Sequence, residues 1–224
     1  MARARSADKD DLAPEPRHVY DDVAASGGCV QRNSKPSCTA QWRYRRCRSI
    51  PIARFRKEDA MPDLTSLASS VAALLKAANQ TVAVAESSGG GLISAALVSI
   101  PGASAYYIGG GVVYTAAARR ALLRVGDEAM AGMRASTETY ALLKARTLRE
   151  QMGATWGLAE TGASGPTGNR YGDAAGHACI AVTGPVERAI TVETGSADRE
   201  ANMWTFAKAA LDLLEVCIKE GKKP

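Results

Sequence analysis

Residues 85–91, Ala-Glu-Ser-Ser-Gly-Gly-Gly, have residue types and a spacing that could support chemistry. A β-branched run predicted as a strand leads through Ser87 into the glycines, and a helical pattern follows. Free backbone N–H groups and the positive end of the helix dipole would meet at such a junction. The segment fits a phosphate cradle, a nucleophilic serine with an oxyanion hole near Gly89 and Gly90, or a tight turn alone. It lacks the lysine of a Walker loop, and Ala85 replaces the first glycine of a Gly-x-Ser-x-Gly motif.

A second segment, residues 109–115, reads Gly-Gly-Gly-Val-Val-Tyr-Thr and is followed by two arginines. Glycine within a strand usually marks a bulge or the close approach of a ligand or backbone. Tyr114 comes at the end of this predicted strand, so its side chain could project into the same cleft as Ser87. A packing role for this tyrosine is the alternative.

A third segment, residues 160–168, follows a predicted buried strand and is rich in Gly, Ser, Thr and Pro. Ligands of open α/β sheets bind at the carboxyl ends of the strands, which is where this segment should lie. It predicts the location of a site rather than a reaction. His177 alternates with apolar neighbours on a later strand, which favours a structural role, and no Ser-His-Asp set is evident.

The elements that must position these segments alternate in type. Predicted helices cover residues 64–75, 92–100, 116–125, 136–152 and 198–220, with Ser136 as the expected cap of the fourth. Predicted strands cover residues 81–86, 106–115, 155–161, 177–183 and 189–194, and Gly184-Pro185 indicates a hairpin between the last two. Helices between strands, with one late hairpin, predict a layered α/β/α single domain with a mixed, mostly parallel sheet.

The net charge of +5 is confined to the N-terminal part of the 224-residue chain. Residues 1–60 contain thirteen Lys or Arg and eight Asp or Glu, whereas residues 61–224 contain fifteen of each. Residues 1–60 also show no sustained period of 2 or 3.6, and therefore predict a basic, disordered extension before a domain at 61–224. A basic run at 43–48 could contact phosphates, but the neutral domain gives no reason to expect nucleic acid as a partner. No apolar run is long enough to cross a membrane.

Cysteine usage predicts neither a disulfide framework nor a metal site. Cys29, Cys38 and Cys47 lack a Cys-x-x-Cys pair, and His18 is distant in the sequence. Cys179 and Cys217 lie in apolar patterns typical of buried free thiols in a reducing compartment, which favours the cytoplasm.

Taken together and in order, these segments resemble the CinA C-terminal domain, the nicotinamide-nucleotide amidase family. The family's Ala-Glu-Ser-Cys-Thr-Gly-Gly is similar to residues 85–91, and its Ile-Pro-Gly-Ser-Ser-Ala turn is similar to residues 100–105. Its Gly-x-Val-x-Tyr strand resembles residues 111–114 with one residue fewer, and its Thr-Gly-x-x-Gly-Pro matches residues 161–166. The resemblance covers about residues 64–220.

The resemblance implies hydrolysis of the carboxamide of nicotinamide mononucleotide, or of a similar small amide, without a metal or other cofactor. It implies Ser87 as the nucleophile, with Tyr114 assisting proton transfer and Arg119 beside it. It also implies a homo-oligomer that binds a small nucleotide. The residues expected to bind this substrate are Glu86, Ser88, Gly89, Gly90, Gly102, Ser104, Thr161, Gly162, Ser164 and Gly165.

Two departures from the family pattern identify the chain as a divergent member. Arg119 stands where the family has lysine, and guanidinium remains protonated at ordinary pH, so it cannot act as a general base. Ser88 and Gly89 replace the cysteine and threonine that follow the family's serine. The alternative to the amidase is therefore a catalytically silent nucleotide-binding or partner-binding domain of the same fold.

Overall fold

The computed structural model describes residues 63–221. The predictions made for residues 1–60, including the basic extension and its three cysteines, lie outside this range.

Five helices and five strands make up the described residues, and all ten were predicted. The helices are α1 (Leu64–Ala77), α2 (Leu92–Ser99), α3 (Ala116–Leu123), α4 (Glu138–Met152) and α5 (Arg199–Glu220). The strands are β1 (Val82–Glu86), β2 (Tyr107–Val112), β3 (Trp156–Ala163), β4 (His177–Thr183) and β5 (Arg188–Glu193). Short 3-10 turns occur at Ala103–Ala105 and Glu128–Met130.

The strands form one sheet in the order β2-β1-β3-β4-β5. β1 pairs in parallel with both β2 and β3, whereas β4 pairs antiparallel with β3 and β5. Four of the five strands consequently run in one direction, which confirms the mixed, mostly parallel sheet. The hairpin predicted at Gly184-Pro185 joins β4 to β5, as expected.

The two faces of the sheet differ in side-chain size. Along β1, Val82 and Val84 face α1, α2 and α5, while Ala83 and Ala85 face α4. Small residues on the α4 side let this helix lie close to the sheet: a Cβ added at Gly157 would stand 2.1 Å from the Ala145 carbonyl oxygen. The layered α/β/α arrangement thus follows from the alternation of large and small residues along the strands.

The start of α4 differs from the prediction by one residue. Thr137, not Ser136, is the cap, and its Oγ1 accepts a hydrogen bond from the Tyr140 N–H (3.2 Å). Ser136 has a φ of +57°, a left-handed conformation that an N-cap residue does not adopt.

None of the helices within residues 63–221 is long and apolar enough to span a lipid bilayer.

Candidate functional site

A pocket of about 600 Å³ opens where β1, β2 and β3 end. Among the predicted site residues, five contribute to its wall: Ser87, Tyr114, Arg119, Thr161 and Gly162. These residues come from three different strand ends and the start of α3. The parallel register of β1 with β2 and β3 brings those ends to one edge of the sheet, which is the edge where α/β proteins bind ligands.

Ser87 follows the last residue of β1 and is half-buried in the pocket wall. Its position is fixed by the carboxylate of Glu160 on the neighbouring strand β3. Oε2 of Glu160 accepts hydrogen bonds from the backbone N–H groups of Ser87 (3.0 Å) and Gly89 (2.8 Å), and Oε1 accepts one from the Ser88 hydroxyl. One buried side chain therefore organises the whole turn that presents the serine.

The carboxylate of Glu86 caps α2, the helix that follows this turn. It accepts hydrogen bonds from the N–H groups of Gly91 (2.8 Å), Ile93 (3.1 Å) and Ser94 (2.8 Å), and from the Ser94 hydroxyl (2.5 Å). Burial raises the pKa of Glu86, and the hydrogen bonds from Ser94 and Ile93 counteract that rise. A negative side chain at a helix N-terminus is stabilised by the helix dipole.

These two glutamates correct the predictions made for the glycine-rich turn. The phosphate-cradle interpretation is wrong because the N–H groups that would hold a phosphate already bind Glu86 and Glu160. The predicted oxyanion donors also form hydrogen bonds within the protein already. The Gly89 N–H donates to Glu160, and the Gly90 N–H donates to the Ser87 carbonyl oxygen (3.1 Å). Glu86, Ser88 and Gly89 are buried supports of the turn, whereas Gly90 is exposed and packs against Met203 of α5.

Lys144, on α4, lies beneath the same turn and was missed by the sequence analysis. Its Nζ donates to the carbonyl oxygens of Glu160 (2.9 Å) and Glu86 (3.3 Å), and the residue is 1% exposed. Burial lowers the pKa of Lys144 to about 8, while the charges of Glu160 and Glu86 counteract that fall. A glutamate inside a predicted buried strand was the available signal, because a buried carboxylate needs a partner.

Tyr114 extends into the pocket from the end of β2 and is 58% exposed. Arg199, at the start of α5, donates one hydrogen bond to its hydroxyl (3.0 Å) and another to the Gly165 carbonyl oxygen (2.5 Å). Arg199 was also missed, since the pattern of residues 198–220 predicts a helix and gives no sign of a contact with the pocket. Its guanidinium links the candidate tyrosine to the loop after β3.

Arg119 is almost fully buried in the pocket wall, at 5% exposure. Its guanidinium forms an ion pair with Asp127, which Arg120 also contacts (3.1 Å). The neighbouring charges, chiefly that of Arg120, lower the pKa of Asp127. Within residues 63–221 the Nε of Arg119 is buried and has no hydrogen-bond partner.

Another part of the pocket wall is basic and aromatic. The Arg170 and Arg134 guanidinium groups lie 5.0 Å and 5.7 Å from the centre of the Tyr171 ring. Arg134 forms a two-bond ion pair with Asp173 (2.6 and 2.9 Å). Arg170 donates to the Tyr171 hydroxyl (2.8 Å) and forms no ion pair with any residue of the described range.

Two predicted binding residues of the loop after β3 face away from the pocket. Ser164 is buried, and its Oγ donates to the Ser88 carbonyl oxygen (2.7 Å). Gly165 has a φ of +115° and lies so close to Ala197 that a Cβ would stand 2.7 Å from its carbonyl oxygen. Their roles in this structure are to fasten the serine turn and to accept the hydrogen bond from Arg199.

The prediction that Gly102 and Ser104 bind the substrate of this pocket is wrong. The turn that contains them precedes β2, whereas Tyr114 follows it. It therefore lies at the amino edge of the sheet, opposite the pocket, where Gly102 packs near the Lys76 ammonium. Helix α2 starts at the carboxyl end of β1 and must end at the other edge before a parallel β2 can begin.

His177 does not line the pocket, as expected for a residue with a structural role. Its Nδ1 contacts the Glu193 carboxylate (2.5 Å), and its Nε2 contacts the Ser136 carbonyl oxygen (3.1 Å) and the Cys179 sulfur (3.6 Å). The Cys179 contact, followed by those with Glu193 and Ser136, raises the pKa of His177 to about 10.

Residues 64–218 match the family described as CinA C-terminal domain. A CinA-like protein of Gloeobacter violaceus is 39% identical over 156 residues, covering 68% of this chain and 36% of that protein. One of Anaeromyxobacter dehalogenans is 34% identical over 162 residues, covering 72% and 38%. This chain thus spans little more than a third of the length of these curated relatives.

Solved structures of the same superfamily match the fold and much more of their own length. A CinA superfamily protein of Klebsiella pneumoniae superimposes with a TM-score of 0.66 at 26% identity, covering 71% of this chain and 99% of that one. A competence/damage-inducible protein of Agrobacterium tumefaciens gives a TM-score of 0.64 at 27% identity, covering 72% and 99%.

Proposed function

Because the chain belongs to the family of CinA C-terminal domains, we propose that it hydrolyses the carboxamide of nicotinamide mononucleotide, or of a similar small amide, to the acid and ammonia. The observation that carries this proposal is the presence of Ser87, Tyr114 and Arg119 in the wall of one pocket of about 600 Å³. Pockets of this size hold ligands as large as a mononucleotide. We propose the same amidase activity for any longer protein that contains this domain.

In the proposed reaction the Ser87 oxygen attacks the amide carbon and gives a tetrahedral intermediate with a negative oxygen. The carbon–nitrogen bond then breaks, the serine proton goes to the departing nitrogen, and ammonia leaves. An ester of Ser87 remains. Water hydrolyses this ester, which releases the acid and restores the serine hydroxyl.

Tyr114 is the proposed carrier of the proton. Among residues 63–221 no histidine lines the pocket, and Arg119 cannot give up its proton. Tyr114 is chosen among the lining tyrosines because it follows β2, the strand that pairs with the one before Ser87. Arg199 donates to this hydroxyl at 3.0 Å and places a positive charge beside the oxygen that would become negative. Arg119 supplies a second fixed positive charge.

The negative oxygen of the intermediate needs donors that the turn has not already used. The Ser88 N–H makes no hydrogen bond with any residue between 63 and 221, and it directly follows the proposed nucleophile. The amide after the nucleophile serves this purpose in other serine hydrolases.

The basic and aromatic wall is the proposed binding surface for the rest of the substrate. Arg170 has no carboxylate partner in the described structure and can bind an anionic group such as a phosphate. Tyr171, which lies against both arginines, offers its ring edge or face to an apolar or aromatic group. In this proposal the basic and aromatic wall, rather than the Gly102–Ser104 turn, binds the nucleotide part of the substrate.

A silent binding domain remains the second candidate, and the Arg119–Asp127 ion pair is the observation that favours it. The two candidates are separated by incubating the purified chain with nicotinamide mononucleotide and measuring both ammonia release and binding. The amidase predicts ammonia in step with the acid product. Saturable binding without ammonia would support the silent domain instead.

A further inference from the structure

Three ionisable side chains form a buried group beneath the serine turn, and the proposed reaction uses none of them. Lys144, Glu86 and Glu160 are 1%, 0% and 0% exposed. They come from α4, β1 and β3, which makes the group a junction of three elements. We refer to these three residues as the buried triad.

The ammonium of Lys144 joins the carboxyl ends of two strands. Its hydrogen bonds go to the carbonyl oxygens of Glu86 and Glu160, the residues that immediately precede Ser87 and Thr161. Ser87 and Thr161 both line the pocket. A shift of Lys144 would therefore move two parts of the pocket wall at once, those at the ends of the neighbouring strands β1 and β3.

The carboxylates of the same two glutamates hold the turn itself. Together they accept seven hydrogen bonds from residues 87–94, five of them from backbone N–H groups. Their negative charges repel each other, since the charge of Glu160 contributes to the raised pKa of Glu86. The ammonium of Lys144 is the positive charge that lies between their two strands.

We propose that Lys144 is the positioning residue of the serine turn: its buried ammonium ties β1 to β3 and balances the charges of the two glutamates whose hydrogen bonds hold residues 87–94. The consequence for catalysis rests on the proposed amidase function, but the consequence for the turn does not. Without the ammonium, one glutamate gains a proton or moves toward water, and the amides that it held become free.

The positioning role predicts a dependence on pH. The charged groups that face Lys144 are the carboxylates of Glu86 and Glu160, and the Tyr140 ring lies 5.7 Å away on its own helix. Since burial lowers the pKa of Lys144 to about 8, its charge is lost as pH rises through that value. The turn should therefore loosen in mildly alkaline solution.

The test compares Lys144→Met with Lys76→Met in the full chain. Lys76 is the control for the loss of a lysine hydrogen bond, because it also donates to a backbone carbonyl oxygen, that of Pro101 (2.6 Å), but is exposed and lies at the amino edge of the sheet. Hydrogen exchange of the Ser87, Gly89 and Gly91 amides should accelerate by on the order of tenfold in Lys144→Met and stay unchanged in Lys76→Met. Adding Glu160→Gln to Lys144→Met should restore part of the protection, which a packing role alone would not.

Activity provides the second readout. Lys144→Met should lower kcat on nicotinamide mononucleotide by on the order of tenfold with little change in KM. It should also abolish the fall in kcat that wild type shows as pH rises through about 8.

If wild type shows no hydrolysis but the exchange rates respond as expected, the positioning role stands and the amidase fails. If Lys144→Met does not fold, exchange in wild type decides, because protection of these amides should fall as pH passes 8. The proposal is overturned if exchange of these amides is unchanged in folded Lys144→Met. It is also overturned if their protection in wild type does not change as pH passes 8.

Discussion

Arg199 donates a hydrogen bond to the hydroxyl of Tyr114 across 3.0 Å, although the two residues are 85 positions apart in the chain. The same guanidinium holds the Gly165 carbonyl oxygen, so it fixes the candidate proton carrier against the loop after β3.

Arg199→Gln should therefore lower kcat by on the order of tenfold, because the positive charge beside the phenol oxygen is lost. Arg199→Lys should retain part of the activity, since it keeps the charge but not both hydrogen bonds. Steady-state kinetics across pH 6 to about 10 measure both effects. Lys208→Gln, on the same helix and paired with Asp212 (2.6 Å), is the control. Equal kcat in wild type and Arg199→Gln would contradict this role for the arginine.

Arg119→Lys should keep or raise amidase activity. Lysine can lose a proton in a desolvated site, whereas arginine cannot. Arg119→Ala should reduce activity sharply, because it removes a fixed positive charge from the pocket wall. Arg120→Lys serves as the control, since this exposed neighbour contacts the same carboxylate. If Arg119→Ala turns over as fast as wild type, the charge at this position has no catalytic role.

His177 should make the folded state less stable in alkaline solution. Its folded pKa of about 10 lies above the ordinary 6.5, so its contribution to stability is complete below pH 6.5 and is lost as pH rises through 10. The free energy of unfolding of His177→Gln, measured by urea denaturation, should lack this fall. Lys144, whose lowered pKa acts in the opposite direction between pH 8 and 10.5, is present in both proteins and cancels in the difference. A difference that stays constant from pH 6 to about 10 would disprove this assignment.

A chain beginning at Met61 should fold alone, because the helical pattern and the balanced charge both begin there. In the structure Asp63 caps α1, and its side chain accepts from the Thr65 N–H (3.2 Å). Thermal unfolding followed by circular dichroism should show one cooperative transition. Loss of that transition, or insolubility of the shortened chain, would mean that residues 1–60 contribute to the core.

Local sequence patterns predicted the elements well because each pattern depends on neighbours a few positions away. The alternation of Val and Ala in β1 gives both the strand and the side on which each helix packs. The position of Ser87 also followed from local order, since a strand that runs into a glycine turn and a helix must present that residue at the carboxyl edge.

The contacts that fix the site were beyond such patterns because they join distant parts of the chain. Glu160 reaches the Ser87 turn across 73 positions, and Lys144 reaches Glu86 across 58. The glycine pattern predicted amides free for a ligand, whereas the two glutamates bind those of Gly89 and Gly91. Similarly, the resemblance of residues 100–105 to a family motif did not reveal at which edge of the sheet the turn would lie.

Ammonia release by wild type and by Ser87→Ala, measured side by side with nicotinamide mononucleotide, tests the central claim most directly. The account predicts turnover in wild type and none above background in Ser87→Ala, since the ester cannot form without the hydroxyl. The variant should unfold at nearly the same temperature, because the loss of one half-buried hydroxyl costs only about 1 kcal/mol. Ser99→Ala, in α2 and away from the pocket, should behave as wild type. Equal turnover in wild type and Ser87→Ala would contradict the assignment of Ser87 as the nucleophile.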